Sequence, residues 1–168
     1  MKRAKINGLT QKNRKSEVDA LAEPDADNYW LRLGATPERL MEVAENYRTM
    51  AYAPYSCFFV GAALLMDDGA VIGGCNVENA SYGITLCAER IAMGNAVSSG
   101  RIYPLAIAIA GDGVSFCSPC GACRQFLAEF NPDLDVILLK HGRLISIPLN
   151  LLLPHRFKLE DDDILRGK

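Results

Sequence analysis

Apolar and polar positions first form a regular pattern near residue 36, where a helix is predicted. Leu40, Met41 and later apolar residues recur at near-helical spacing, with Thr36 placed to cap the helix and Pro37 suited to its first position. Two apolar runs follow, over 58–66 and 70–77, and the turn residues Asp67-Asp68-Gly69 separate them. Such a turn between two runs of strand-forming residues predicts a hairpin.

The rest of the pattern alternates helices and strands. It predicts helices over 87–98, 118–130 and 149–153, and strands over 105–110, 136–139 and 144–147, the last two joined by a second hairpin turn at 140–143. The resulting order, α-β-β-α-β-α-β-β-α, is typical of one sheet covered by helices on both faces. We therefore predict an α/β fold, a three-layer α-β-α sandwich with one mixed five-stranded sheet.

The length and charge of the chain exclude several classes of protein. Its 168 residues, with 49% hydrophobic and 23% charged side chains, fit a single globular domain, which we place at residues 29–168. Residues 1–28 lack periodicity and are basic at their start, so we interpret them as a flexible polar extension. The net charge of −2 gives no reason to expect a nucleic-acid partner. No apolar stretch approaches the roughly 18 residues that span a membrane.

Cysteines are the residues with the most chemical information. The chain has six cysteines and only two histidines. Without an export signal, this cysteine content indicates a reducing compartment, which we take to be the cytoplasm. There the cluster over 117–123 favours metal binding or catalysis over disulfides, and a histidine-rich metal site is excluded.

Three cysteines are predicted to lie at the starts of two helices. Cys87 falls in the first turn of the helix over 87–98, while Ser118 and Pro119 suit the N-cap and first position of the next helix. Cys120 and Cys123 then lie one turn apart on a common face. Free N–H groups at helix starts favour thiolates, so three thiolates could gather around a zinc ion. Three protein ligands are typical of a catalytic zinc site, which keeps one position for water.

This pattern resembles a known family of zinc enzymes. Cys87-Ala88-Glu89 and Pro119-Cys120-Gly121-Ala122-Cys123 match the signature of the zinc deaminases. The surrounding sequence is similar to the small, homotetrameric cytidine deaminases that use three cysteines. Five stretches carry the resemblance, in family order and covering about residues 36–160: YAPYSCFFVGAAL (52–64), NVENASYG (76–83), CAER (87–90), SPCGACRQ (118–125) and LLLPHRF (151–157).

The resemblance implies the chemistry of the site. Cys87, Cys120 and Cys123 would bind Zn²⁺, and Glu89 would move protons during hydrolytic deamination of cytidine and deoxycytidine to uridine and deoxyuridine, with release of ammonia. That reaction belongs to pyrimidine salvage. A carboxylate next to the metal can both accept and give a proton, as the reaction needs. Arg90 would donate hydrogen bonds to the cysteine sulfurs and so offset their excess negative charge.

The resemblance also implies substrate contacts. Asn76 and Glu78 alternate along a strand end, so both point to one face and suit a ribose hydroxyl. Phe58 would stack on the pyrimidine, whereas Phe59 is a less certain aromatic that could belong to the core. Ala88 is a further predicted contact. In the family, neighbouring subunits of a homotetramer complete each active site, and the positions that match these contacts are Ala80, Tyr82 and Phe157. From the sequence alone, Phe157 would instead anchor the C-terminal segment in the core.

Two other functions stay open. Cys117 could join Cys87, Cys120 and Cys123 in a four-thiolate site without catalysis, or the same chemistry could act on a cytosine-containing antibiotic such as blasticidin S. Otherwise we expect Cys117, Cys57 and Cys75 to be ordinary buried thiols. For Arg124, a solvated helix face is the preferred interpretation.

Overall fold

The structure is a computed structural model that describes residues 29–112 and 116–159. The predicted N-terminal extension over 1–28 lies outside these residues. The helices are α1 (Tyr29–Leu33), α2 (Pro37–Arg48), α3 (Ala88–Ser98), α4 (Gly121–Ala128) and α5 (Leu149–Leu152), with a short 3-10 turn at Tyr82–Ile84. The strands are β1 (Gly61–Met66), β2 (Val71–Cys75), β3 (Pro104–Ala110), β4 (Asp135–Lys140) and β5 (Arg143–Pro148).

The strands form one mixed sheet in the order β2-β1-β3-β4-β5. β3 and β4 are parallel, whereas the other three neighbouring pairs are antiparallel. The parallel pair is connected through α4, as a crossover between parallel strands requires. This arrangement confirms the predicted mixed five-stranded sheet.

Helices cover both faces of the sheet. Every residue of β1 is buried, and alternate side chains of the strand point to opposite faces. Leu64 belongs to a core with Met93 of α3 and Leu127 of α4, whereas Leu65 packs on the other face with Leu40 of α2. The predicted three-layer α-β-α sandwich is therefore confirmed.

Local sequence signals set the predicted start of α2 and the turn of the second hairpin. Thr36 caps α2, since its hydroxyl accepts a hydrogen bond from the Arg39 N–H at 3.1 Å, and Pro37 occupies the first helical position. The turn between β4 and β5 places His141 at φ 50° and Gly142 at φ 76°. Positive φ at both central residues is the geometry that a two-residue hairpin turn prefers.

Several boundaries differ from the sequence-based expectations. α4 begins at Gly121 with Cys120 as its N-cap, so the predicted roles of Ser118 as N-cap and Pro119 as first helical residue were wrong. The first helical hydrogen bond is donated by Arg124 N–H to the Cys120 carbonyl, at 3.0 Å. β1 starts at Gly61 rather than residue 58, because side chains hold the preceding loop. Helix α1 was not predicted. No helix in the described part of the chain has the length and apolarity to cross a membrane.

Candidate metal centre and active site

Three cysteine sulfurs meet where two helices begin. The Sγ atoms of Cys87, Cys120 and Cys123 all lie within 4.8 Å of one another, and those of Cys120 and Cys123 are 3.5 Å apart. Cys87 is the N-cap of α3 and Cys120 is the N-cap of α4, while Cys123 lies in the first turn of α4. The three residues that the sequence selected are thus brought together by the fold.

The approach of α3 to the sheet depends on Gly74 of β2. A Cβ atom at Gly74 would lie 2.4 Å from the Ala92 nitrogen and 2.8 Å from the Ala88 carbonyl oxygen, both in the backbone of α3. Only glycine leaves room for this approach. Since Cys87 is the N-cap of α3, this contact helps to set the position of one sulfur of the cluster.

The electrostatics of the cluster favour binding of a cation. The hydrogen bond from the Cys123 thiol lowers the pKa of Cys87 to about 5, with a further contribution from Arg90, although burial opposes the change. The same hydrogen bond to Cys87, together with burial, raises the pKa of Cys123. The Cys87 thiolate therefore forms readily, whereas Cys123 needs a positive charge to replace its proton. Three soft sulfur ligands at helix N-termini fit zinc.

Glu89 is the carboxylate nearest to this cluster in sequence. It lies in the first turn of α3 and is only 5% exposed. Burial is the main cause that raises its pKa, and the negative charge of Cys87 raises it further. Burying an ionised carboxyl group without a partner is costly, which favours the protonated form. A carboxyl group placed in this way next to the sulfurs suits a role in which it gains and loses a proton.

Arg90 reaches back over the start of the same helix. Its Nη2 donates a hydrogen bond to the Thr85 carbonyl oxygen at 2.8 Å and lies 3.8 Å from Cys87 Sγ. The Thr85 contact orients the guanidinium toward the sulfur. A positive charge at this distance stabilises the Cys87 thiolate.

Asn76 and Glu78 hold the loop that carries Phe58. Asn76, 8% exposed, accepts a hydrogen bond from Val60 N–H at 2.8 Å and donates one to the Phe58 carbonyl at 2.9 Å. Glu78 Oε2 accepts from the N–H groups of Tyr55 at 2.9 Å and of the next residue at 3.2 Å. The sequence pattern indicated a shared face for these two side chains but did not reveal that they shape the loop.

The serine of this loop completes the arrangement. The Ser56 hydroxyl donates to Glu78 Oε1 and accepts from Phe58 N–H at 3.0 Å. The contact with the Ser56 hydroxyl is the main reason that the pKa of Glu78 is lowered. Cys57, between Ser56 and Phe58, has φ 55°, a conformation that is unfavourable for residues other than glycine. The hydrogen bonds around Glu78 and Asn76 therefore maintain a strained turn.

The remaining predicted contacts lie mostly on the surface. Phe58 and Phe59 are both exposed, and Tyr82, 74% exposed, has its ring centroid 5.9 Å from that of Tyr55. Ala80 is exposed in the segment before the 3-10 turn, whereas Ala88 is fully buried at the start of α3. Phe157 is 69% exposed, so its interpretation as a core anchor was wrong.

The other cysteines and Arg124 also differ from expectation. Cys57 is exposed, and Cys75 and Cys117 are half-buried. Cys117 is not part of the sulfur cluster found among the described residues, and burial raises its pKa to about 11, which disfavours a thiolate ligand. The structure thus gives no support to a four-thiolate site. Arg124 does not lie on a solvated face, because all three of its side-chain nitrogens donate hydrogen bonds.

Comparisons with known proteins agree with this geometry. Residues 35–139 match the family model described as the cytidine and deoxycytidylate deaminase zinc-binding region. A cytidine deaminase of Halalkalibacterium halodurans is 48% identical over 126 residues, which cover 74% of this chain and 96% of that protein. The crystal structure of cytidine deaminase from Burkholderia pseudomallei superposes with a TM-score of 0.69 at 46% identity, covering 73% of this chain and 99% of that one.

A relative named for a different substrate is more distant. Blasticidin-S deaminase of Bacillus cereus is 31% identical over 126 residues, covering 70% of this chain and 89% of that protein. The range that matches the family model, 35–139, contains Cys87, Cys120 and Cys123, and the solved structure from Burkholderia pseudomallei shares the fold that brings them together. The chain therefore belongs to the cytidine and deoxycytidylate deaminase family of zinc-binding enzymes.

Proposed function

We propose that the protein converts cytidine and deoxycytidine to uridine and deoxyuridine by hydrolysis, releasing ammonia. The observation that carries the proposal is the juxtaposition of a three-sulfur cluster with the buried carboxyl group of Glu89 at the start of α3. Relatives at 45–48% identity are named cytidine deaminases. The geometry of the site and the names of these relatives both support this reaction.

Separate residues would hold the metal ion and transfer the protons. Cys87, Cys120 and Cys123 would hold Zn²⁺, which when bound activates a water molecule for attack on C4 of the ring. Glu89 takes up one proton from the attacking water and donates it to N3 of the ring. It then takes the second proton of the same oxygen and delivers it to the amino group, which leaves as ammonia while C4 becomes a carbonyl carbon. Arg90 stabilises the Cys87 side of the cluster throughout.

The loop over 55–60 would receive the nucleoside. Phe58 offers an exposed ring for stacking on the pyrimidine. Glu78 accepts three hydrogen bonds from the loop, and a carboxylate has about four acceptor sites, so one remains for a ribose hydroxyl. Asn76 likewise retains one N–H donor. Ala88 remains a predicted contact at the helix start.

Replacement of the buried carboxyl group of Glu89 by an amide tests the proposed reaction. Glu89→Gln should retain bound zinc but lower kcat for ammonia release from cytidine by at least about 10²–10⁴-fold, the usual contribution of a proton-transfer group. Glu129→Gln, a change to an exposed acid at the end of α4, is the matched control and should leave kcat unchanged. Substantial turnover by zinc-loaded Glu89→Gln would remove Glu89 from this role.

The second candidate substrate is blasticidin S. The relative at 31% identity supports it, but the relatives named cytidine deaminases are closer. Purified enzyme assayed with cytidine and with blasticidin S at equal concentrations separates the two. We expect a higher kcat/KM for cytidine, and the reverse order would favour the antibiotic.

We also propose a homotetramer whose subunits share active sites. Tyr82 and Phe157 are large apolar side chains that the single chain leaves largely exposed, and Ala80 lies in the same exposed segment as Tyr82. An inactive Glu89→Gln subunit mixed with a weakened Phe157→Ala subunit should recover activity if one subunit completes the site of another. Sedimentation analysis should give four times the chain mass, and a monomeric active enzyme would contradict the proposal.

A cytoplasmic role in pyrimidine salvage completes the proposal. All six cysteines are free in the structure, which suits a reducing compartment. Fractionation of the source cells with an antibody to the protein tests the location.

A further inference from the structure

Two adjacent residues of α4 make five hydrogen bonds to segments outside that helix. Arg124 and Gln125 follow the metal ligand Cys123 directly. Their side chains contact the loop in front of Cys120 and the C-terminal segment over 152–157. Neither residue has a place in the proton transfer or in the sulfur cluster.

Arg124 connects the loop in front of Cys120 to the end of α5. Its Nε donates to the Pro119 carbonyl at 2.8 Å and its Nη2 donates to Ser118 Oγ at 3.0 Å. Its Nη1 donates to the Leu152 carbonyl at 2.8 Å. Three bonds in three directions use the rigid fork of the guanidinium, which lysine cannot reproduce.

Gln125 holds both main-chain groups of one C-terminal residue. Its Nε2 donates to the Phe157 carbonyl at 2.9 Å, and its Oε1 accepts from Phe157 N–H at 3.0 Å. Paired bonds to the N–H and C=O of one residue restrict both of its backbone dihedrals. They therefore fix the backbone of Phe157 and the direction of its Cα–Cβ bond, from which the exposed ring extends.

We propose that Arg124 and Gln125 are positioning residues that form a clamp, through which α4 orients both the loop before Cys120 and the C-terminal segment over 152–157. Because one helix carries Cys123 and both clamp residues, the metal site and the placement of Phe157 are coupled. The effect of the clamp on substrate binding rests on the proposed function, whereas its effects on the loop and on the segment do not.

Cleavage of the zinc-loaded protein by an arginine-specific protease tests the hydrogen bonds between Gln125 and Phe157. The bond between Arg156 and Phe157 contains the N–H that Gln125 binds, and cleavage requires local opening. Gln125→Met removes both hydrogen bonds, so cleavage at this bond should become about 10–100-fold faster. Gln125→Glu keeps the acceptor and should give an intermediate rate. A rate for Gln125→Met within twofold of wild type overturns the clamp.

The rate of zinc release tests the hydrogen bonds of Arg124 to the loop before Cys120 and to Leu152. Arg124→Lys should release zinc to a chromogenic chelator about 10–100-fold faster, as expected when a residue that orients metal ligands is changed, and should also speed cleavage after Arg156. Arg39→Lys alters an exposed arginine on α2 and is the matched control, with no change in either rate. A zinc-release rate in Arg124→Lys equal to that of wild type would overturn the proposed coupling between the metal site and the C-terminal segment. Ser118→Ala, which removes a single acceptor, should give a smaller acceleration.

Kinetics distinguish positioning of Phe157 from a general loss of stability. Zinc-loaded Gln125→Met should show a raised KM for cytidine with kcat per bound zinc retained. A lowered kcat with unchanged KM would overturn the assignment of Gln125 to the placement of Phe157. If the wild-type protein does not deaminate cytidine, the proposed function fails, while the cleavage and zinc-release rates still decide the clamp.

Discussion

The contact between Gly74 and α3 provides the sharpest test of how the fold positions the metal site. In Gly74→Ala the new methyl group would meet the Ala92 nitrogen at 2.4 Å, where ordinary contacts begin at 3.4 Å. The atoms it meets belong to the backbone of a helix, so no side-chain rotation relieves the overlap. We expect α3 to move away from the sheet by about 1 Å, the difference between these two distances.

Two consequences follow from this displacement. Overpacking of this kind costs about 1–3 kcal/mol, which for a chain of this size lowers the unfolding temperature by about 2–4 °C for each kcal/mol. The start of α3 carries Cys87, whose sulfur must lie about 2.3 Å from zinc with a tolerance of about 0.2 Å. A shift of about 1 Å exceeds that tolerance, so zinc should also be bound more weakly.

The assay measures zinc and stability in parallel. In Gly74→Ala, the zinc content after dialysis and the thermal unfolding midpoint should both be lower than in wild type, and zinc release to a chelator should be faster. Gly94→Ala, in the middle of the same helix, is the matched control, because nothing lies within 4 Å of the added Cβ. That variant should gain about 0.4–1 kcal/mol and keep its zinc. Wild-type zinc release from Gly74→Ala would refute the reasoning.

Three further changes have defined outcomes. Cys57→Gly relieves a residue at φ 55° and should raise the unfolding free energy by about 0.5–1 kcal/mol in denaturant titration; a decrease would argue against strain in the turn. Glu78→Ala removes the acceptor of Ser56 and the proposed ribose contact, so KM for cytidine should rise more than tenfold; an unchanged KM would contradict that contact. Burial and the Asp135 carboxylate raise the pKa of Tyr29, so stability tied to the neutral phenol is complete below the ordinary phenol pKa of about 10 and declines progressively as the pH rises above it. The stability difference between wild type and Tyr29→Phe should therefore shrink between pH 8 and pH 11, and a constant difference would exclude this linkage.

The other four helices and both hairpins were predictable from the sequence because their signals act over a few residues, whereas α1 was missed. Thr36 and Pro37 predicted the start of α2, and the residues around His141 and Gly142 predicted the second hairpin. Such caps and turns stabilise their elements wherever the chain places them. The start of α4 was missed, because Ser118 offers an equally good local cap but its hydroxyl accepts from Arg124 instead.

The sequence likewise predicted the type of site but not the distances between its residues. The residue types of Cys87, Glu89, Cys120 and Cys123 indicate a catalytic zinc site, since only sulfur-rich, three-ligand chemistry accounts for them together. Distances in the structure decide between the three-sulfur site and the alternative with Cys117 as a fourth ligand. Cys117 lies three residues from Cys120 in the chain, yet its sulfur is not in the cluster.

The sequence by itself determined most of the helices and strands, the resemblance to the family and the three sulfur donors of the metal site, because these depend on local preference and residue type. Only the tertiary structure decided that the starts of α3 and α4 meet, that Asn76 and Glu78 shape the loop of Phe58, and that Arg124 and Gln125 bind the C-terminal segment. These contacts join residues far apart in the chain. They exist because packing on the two faces of one sheet brings them within hydrogen-bond distance, and no local pattern encodes that distance.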